Sequence, residues 1–343
     1  MIHIDTMSPP QCCRSLPRNP TTMQTRLPER RPLCTSTPVV AMVALALCAG
    51  GVVVAAGAAN ATGTLLFGDG NKAVRFNLAS HQMSSMRLSE GTTEMLGFGG
   101  GVATDVGVVK RISAAADRYS LRLLPAGASA GATLPPFAVS RGHVSGPVQP
   151  SPSAMLFAMH SLESAGLSEP IVDHIYVFDR SSHVRMRVAG YRDPAWISED
   201  RLVVAGDDGL FTLSVGAAPS AQRIGQRGLG RPGQVPSRPA VSPDAHTIVF
   251  VQGDAVWRMG IDGQGLRRLT LARPGQTWPA WSPDGAHVAV VRRACPPVGG
   301  ASPNPELVIV SSSEADQDIE RLPLVKRADG LPVRSCGPLY WLP

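Results

Sequence analysis

Short apolar runs broken at Gly, Pro and Asp make up most of this chain. The clearest is Pro279-Ala280-Trp281-Ser282-Pro283-Asp284-Gly285, followed by the strand-like His287–Val291. Pro fixes φ, Asp bonds back to the backbone and Gly tolerates positive φ, so Ser-Pro-Asp-Gly predicts a tight turn between two strands. The same order recurs: Pro239–His246 precedes Thr247–Phe250, Pro194–Asp200 precedes Arg201–Ala205, and Pro147–Ser153 precedes Met155–Ala158. The units start at 147, 194, 239 and 279, a spacing of 40–47 residues. Inside one unit, Gly253-Asp254 turns the chain into a third run, Val256–Gly260, and Asp262–Gly265 turns it into a fourth, Leu266–Thr270. Four short strands at this period predict propeller blades. A lone four-stranded sheet leaves both faces wet, and blades packed radially bury each other's faces.

About 280 residues follow residue 62, room for six blades at 40–50 residues each. The expected fold is all-β: a β-propeller of six blades, each of four antiparallel strands. The first blade would hold Thr64–Ser89 and the second roughly Glu94–Pro136. Gly337–Pro343 reads as an opening strand with nothing after it, and Thr64–Gly68 as a second strand with nothing before it. Paired, they would complete one blade, so the C-terminal strand would close the ring and leave no open sheet edge.

The stretches SPDAHTIVFVQGDAVWRMGIDGQGLRRLT and PAWSPDGAHVAVV resemble the repeats of TolB-type (PD40, WD40-like) β-propellers. The resemblance covers residues 235–292 and extends over 144–215. It implies an envelope role among protein partners, a peptidoglycan-associated lipoprotein and an energised inner-membrane protein. That family carries an α/β domain ahead of its propeller, and none fits between residue 60 and the first strand here, so the propeller part alone transfers.

Composition changes the picture mainly at the front of the chain. With 35 Gly and 31 Pro among 343 residues and 17% charged residues, the chain is turn-rich. Residues 1–37 hold five Arg against one Asp and one Glu and show no periodic apolar pattern, as expected of a basic leader. Met23 is a plausible start, which would make 1–22 a gene-model extension. Val39–Ala59 is 21 residues without a charge, long enough to cross a bilayer. A basic flank followed by an apolar run and small residues is the layout of an export signal, assigned here to 38–61. Cleavage would fall at Ala56-Gly57-Ala58 or Ala59-Asn60-Ala61. Leu45-Ala46-Leu47-Cys48 is similar to a bacterial lipobox, except that Leu47 stands where that motif takes a small residue. Cleavage, lipidation at Cys48 and retention as a membrane anchor all leave residues 62–343 exported, to the periplasm or another extracytoplasmic space. Beyond Cys48 only Cys295 and Cys336 remain. Both are expected in loops on one face of the ring, where an oxidising compartment permits a disulfide.

The leader contributes half of the +6 net charge, and the remaining Lys and Arg are scattered, so no nucleic-acid footprint is present. Gly127–Gly131 fits G-x-S-x-G and Gly228–Gly233 fits G-x-G-x-x-G, but Pro125, Pro135-Pro136, Pro232 and Pro236 deny either the helix its chemistry needs. The eight His show no metal-ligand spacing, so neither a metal nor any other cofactor is expected. The expected function is that of a non-enzymatic scaffold binding a protein partner of the cell envelope. The loops entering the innermost strands would line the channel mouth, with Arg192, Asp193, Arg238, Thr277, Trp278 and Arg334 as binding residues. Arginine and tryptophan are the types that anchor interfaces. Trp278 also has a plainer reading, packing between blades. The alternative function is a small-ligand-binding or catalytic propeller that uses the same mouth.

Overall fold

A computed structural model describes residues 61–69, 72–87, 95–98, 106–113, 118–124, 132–133, 135–138, 142–164, 166, 168–229, 234–293 and 305–343. The leader, the apolar segment, Cys48 and Cys295 lie outside these residues, as do Gly127–Gly131 and Gly230–Gly233 of the two glycine motifs. The described residues form strands and turns, with no helix among them.

Five antiparallel sheets have the form of propeller blades. One is built from β1 (Thr64–Asp69), β2 (Lys72–Asn77) and β3 (Met83–Arg87), completed by the last strand, β24 (Leu339–Leu342). The next in chain order holds β9 (Gly142–Pro150), β10 (Leu156–Glu163), β11 (Val172–Asp179) and β12 (Val184–Ala189). Then come β13 (Arg192–Ser198), β14 (Arg201–Gly206), β15 (Gly209–Ser214) and β16 (Ala221–Ile224), followed by β17 (Ser237–Val241), β18 (Thr247–Gln252), β19 (Ala255–Gly260) and β20 (Arg267–Arg268). The fifth has three strands, β21 (Thr277–Trp281), β22 (His287–Arg292) and β23 (Glu306–Ser311). The first strands lie side by side in the order β9, β13, β17, β21, β24.

The expectation of six four-stranded blades is therefore corrected to five sheets of blade form. Residues 95–138 build a different sheet, from β4 (Met95–Phe98), β5 (Val106–Ser113), β6 (Arg118–Leu124), β7 (Ala132–Thr133) and β8 (Phe137–Ala138). Its outer edge is split: β7 pairs with Arg122–Leu123 and β8 with Arg118–Tyr119. Pro125, Pro135 and Pro136 interrupt this stretch, and a residue without an N–H cannot continue a ladder. β4 runs beside β9 and β1. In the three-stranded sheet the fourth strand is replaced by the turns of 312–338. There the Leu307 N–H donates to Val333 O, and Leu307 O accepts the Val325 N–H at 2.9 Å, so the edge is still covered.

The turns behave as their residues dictate. Ser282 Oγ donates to Asp284 Oδ1 at 2.5 Å, and that carboxylate accepts the Ala286 N–H at 2.9 Å. Ser242 and Asp244 repeat the pair, with the His246 N–H at 3.0 Å. These bonds, the serine hydroxyl first, hold both carboxylates below their ordinary pKa. β18 and β22 are buried at every position after their first residue, which is why these runs read as apolar.

The two ends of the chain meet as anticipated. β24 pairs antiparallel with β1, with Thr64 opposite Leu342 and Phe67 opposite Leu339. Leu339 and Trp341 join a core cluster with Leu65, Phe67, Phe76, Val291 and Ile309.

Candidate functional site

The first strands of three consecutive blades share an irregularity. Pairing shifts by one residue between Arg192 and Ala195 in β13, Ser237 and Ala240 in β17, and Thr277 and Ala280 in β21. Each shift is a bulge over an X-Pro pair, and X is in the left-handed region: Asp193 at φ 51°, Arg238 at 50° and Trp278 at 51°. In β9 the matching place is taken by Gly146, at φ 85°, ahead of Pro147. A non-glycine residue in this conformation costs on the order of 1–3 kcal/mol, and such residues cluster where side chains are aimed at a task. These three are thus strand residues, not the loop residues the sequence suggested, and all three line one cavity.

They are also bonded to one another. Asp193 Oδ2 accepts the Arg238 N–H at 2.9 Å. The Arg238 guanidinium donates to Thr277 Oγ1 and lies 4.6 Å from the centre of the Trp278 ring. Burial lowers the Arg238 pKa, an effect that the Asp193 charge opposes. Trp278 itself packs on the cluster holding Phe67 and Ile309, the plainer of its two expected roles. The structure therefore unites Asp193, Arg238, Thr277 and Trp278. Arg192 turns the other way, donating to Gly206 O and Asp207 Oδ1 at 3.1 Å. Arg334 is exposed on the segment that bridges to Glu306, and no contact links it to the other four.

Below the four lies the channel, a cavity of about 520 Å³. Pro147, Pro194, Pro239 and Pro279, from the first strands of four blades, border it with Pro338, which directly precedes β24. Trp196, Trp281 and Trp341 border it as well, and each anchors its strand to a neighbouring segment. Their Nε1–H groups donate to Gln149 O at 2.8 Å, Ala240 O at 3.0 Å and Thr62 O at 2.8 Å. A second cavity, of about 600 Å³, opens beside the first between Val235, Ser237, Arg238, Thr277, Trp278 and Cys336.

One channel residue escapes a reading by spacing. His160 borders the cavity, is 6% exposed, and places Nε2 2.6 Å from Asp173 Oδ1. The second carboxylate oxygen of Asp173 is 3.7 Å from Arg192 Nη1. His160 pairs with Ser145, just before the Gly146-Pro147 bulge; the residues at that register in three other blades are Ala205, Val251 and Val291. The signal was present as a histidine directly after the apolar run Leu156–Met159 of a second strand, where a search for metal spacing does not look.

No protein-family model matches the sequence, and no curated protein matches it. Solved structures do. A protein of Agrobacterium tumefaciens assigned as TolB matches with a TM-score of 0.54 and 13% identity, over 82% of this chain and 99% of that one. TolB from Acinetobacter baumannii matches with a TM-score of 0.51 and 13% identity, over 82% and 67%. A Bacteroides uniformis protein assigned as a 6-phosphogluconolactonase matches with a TM-score of 0.51 and 11% identity, over 77% and 81%. At such identities the likeness is one of fold, and in fold this chain is a TolB-like β-propeller.

Proposed function

We propose that this chain is an exported, non-enzymatic scaffold of the bacterial cell envelope that presents its channel mouth to a protein partner. The observation that carries the reading is the convergence of Asp193, Arg238 and Trp278, three strained residues at one repeat position and on one rim. Strain retained three times over is costly unless the side chains it aims have a use. The inner strands are poor templates for strand addition, because each carries or directly follows a proline at the rim. Recognition therefore falls to side chains. The charge-free segment 39–59 after a basic flank supports export, by cleavage, by lipidation at Cys48 or as a retained anchor.

Two structural details belong to the same proposal. A ring closed by the C-terminal strand is one, supported by the contacts of β4 with both β1 and β9 and by the β1–β24 pairing. A Cys295–Cys336 disulfide is the other, and closing a loop of this length is worth roughly 3–4 kcal/mol.

A photo-crosslinking residue at Val235, 47% exposed beside the second cavity, tests the interaction in living cells. The control position is Ala286, exposed on the turn at the opposite end of β21. Capture of one envelope protein from Val235 and not from Ala286, abolished by Trp278→Ala, is the expected result. Equal capture from both positions, or none from either, overturns the reading.

A further inference from the structure

Proline and tryptophan make up about half of the channel wall, yet two polar groups border it without a matching partner. Arg238 is one. Among the described residues no carboxylate ion-pairs with its guanidinium, whose contacts are a threonine hydroxyl and an indole face. Asp193 spends an oxygen on the Arg238 main-chain N–H instead. His160 is the other. An ionised carboxylate can only accept, so Asp173 fixes a hydrogen on Nε2, and in the neutral imidazole Nδ1 keeps the lone pair. No described group bonds that nitrogen, although the side chain is more than nine-tenths buried and borders the cavity.

The volume, about 520 Å³, falls among pockets for small molecules, roughly 300–1,000 Å³. Asp193 offsets the burial of this guanidinium without pairing with it, so an occupant that brings a carboxylate gains the ion pair that Asp193 does not make. Guanidinium and carboxylate match as planar, two-pronged partners. An imidazole lone pair wants a donor, which a hydroxyl supplies. Proline rings and tryptophan offer apolar surface for the carbon skeleton between the two.

We propose that the channel binds a small hydroxylated organic acid, its carboxylate on Arg238 and a hydroxyl hydrogen donated to His160 Nδ1. Asp173 acts as a positioning residue that fixes the imidazole, and Arg192 backs Asp173. The site shares Arg238 with the protein-binding rim, but uptake of a small acid is measured with no protein partner present, so it stands or falls separately from that reading.

Calorimetry and tryptophan fluorescence on the purified exported protein decide it, with no partner present. The probes are gluconate, glucuronate and tartrate, beside glucitol, which lacks the carboxylate, and hexanoate, which lacks hydroxyls. At least one hydroxy acid should saturate the protein and bind about tenfold tighter than either control. Arg238→Gln and His160→Gln should each weaken that acid by about tenfold or more, with the fold verified by circular dichroism. Should either variant fail to fold, the wild-type comparison of acids with controls still decides. The proposal is overturned if no hydroxy acid gives a saturable signal up to about 20 mM. It is equally overturned if glucitol or hexanoate binds as well as the acids, or if binding survives both substitutions in folded protein.

Discussion

Ala245 and Gly285 occupy the same place in two copies of one turn, and both have positive φ, 59° and 70°. The left-handed conformation costs a Cβ-bearing residue about 1–2 kcal/mol, which glycine does not incur. Ala245→Gly should therefore raise stability by roughly 0.5–1 kcal/mol after the added freedom of the unfolded chain is subtracted. Thermal unfolding of the purified variant checks this, and an unchanged or lower Tm contradicts it. The serine, aspartate and glycine of these turns were legible because their chemistry is local, closed within five residues. The bulges were not. Nothing in Arg-Asp-Pro, Ser-Arg-Pro or Thr-Trp-Pro separates a loop from a strand with one residue too many, because the extra residue is counted only against the partner strand. His160 was missed for a related reason: its partner, Asp173, is on the next strand and is brought near by pairing.

At the level of strands, Trp196 and Trp281 at the inner edge tie blade to blade. Trp281 donates from β21 to Ala240 O in β17, across a blade boundary, while its ring fills the cluster with Val249 and Val310. Trp281→Phe keeps most of the apolar volume and removes the donor, leaving Ala240 O unsatisfied in a partly buried place. The expected cost is about 1–3 kcal/mol, read as a lower denaturation midpoint with little change in the urea m-value. A neutral result would show that this bond adds nothing between blades. Strands β13, β14, β17–β19, β21 and β22 were readable because each buries an apolar run between recurring turns. The fourth strand of the last blade and the outer edge of the β4–β8 sheet were not. Both depend on how far proline-rich segments can pair, and a count of 40–50 residues per unit assumes that they do.

For the whole molecule, the decisive contact joins positions 64 and 342. Leu339, Trp341 and Leu342 are buried, and burial of each such side chain is worth about 1.5–3 kcal/mol. Removal of residues 338–343 should lower Tm by roughly 10 °C or more and broaden the transition, as followed by circular dichroism. Unfolding unchanged by this truncation would mean that β24 is decoration.

The pairing of the first strand with the last has a consequence for timing. A chain synthesised from its N-terminus delivers β1 early and the inner neighbour of β1 more than 250 residues later. Until residue 342 arrives, Leu65 and Phe67 have an incomplete sheet, and their exposed edge must be shielded or endured. The slowest event in maturation should then be a zipper between the oldest and newest segments, with chaperones competing for the same edge. A version of this protein with its ends joined and a new opening in an exposed turn would escape that wait.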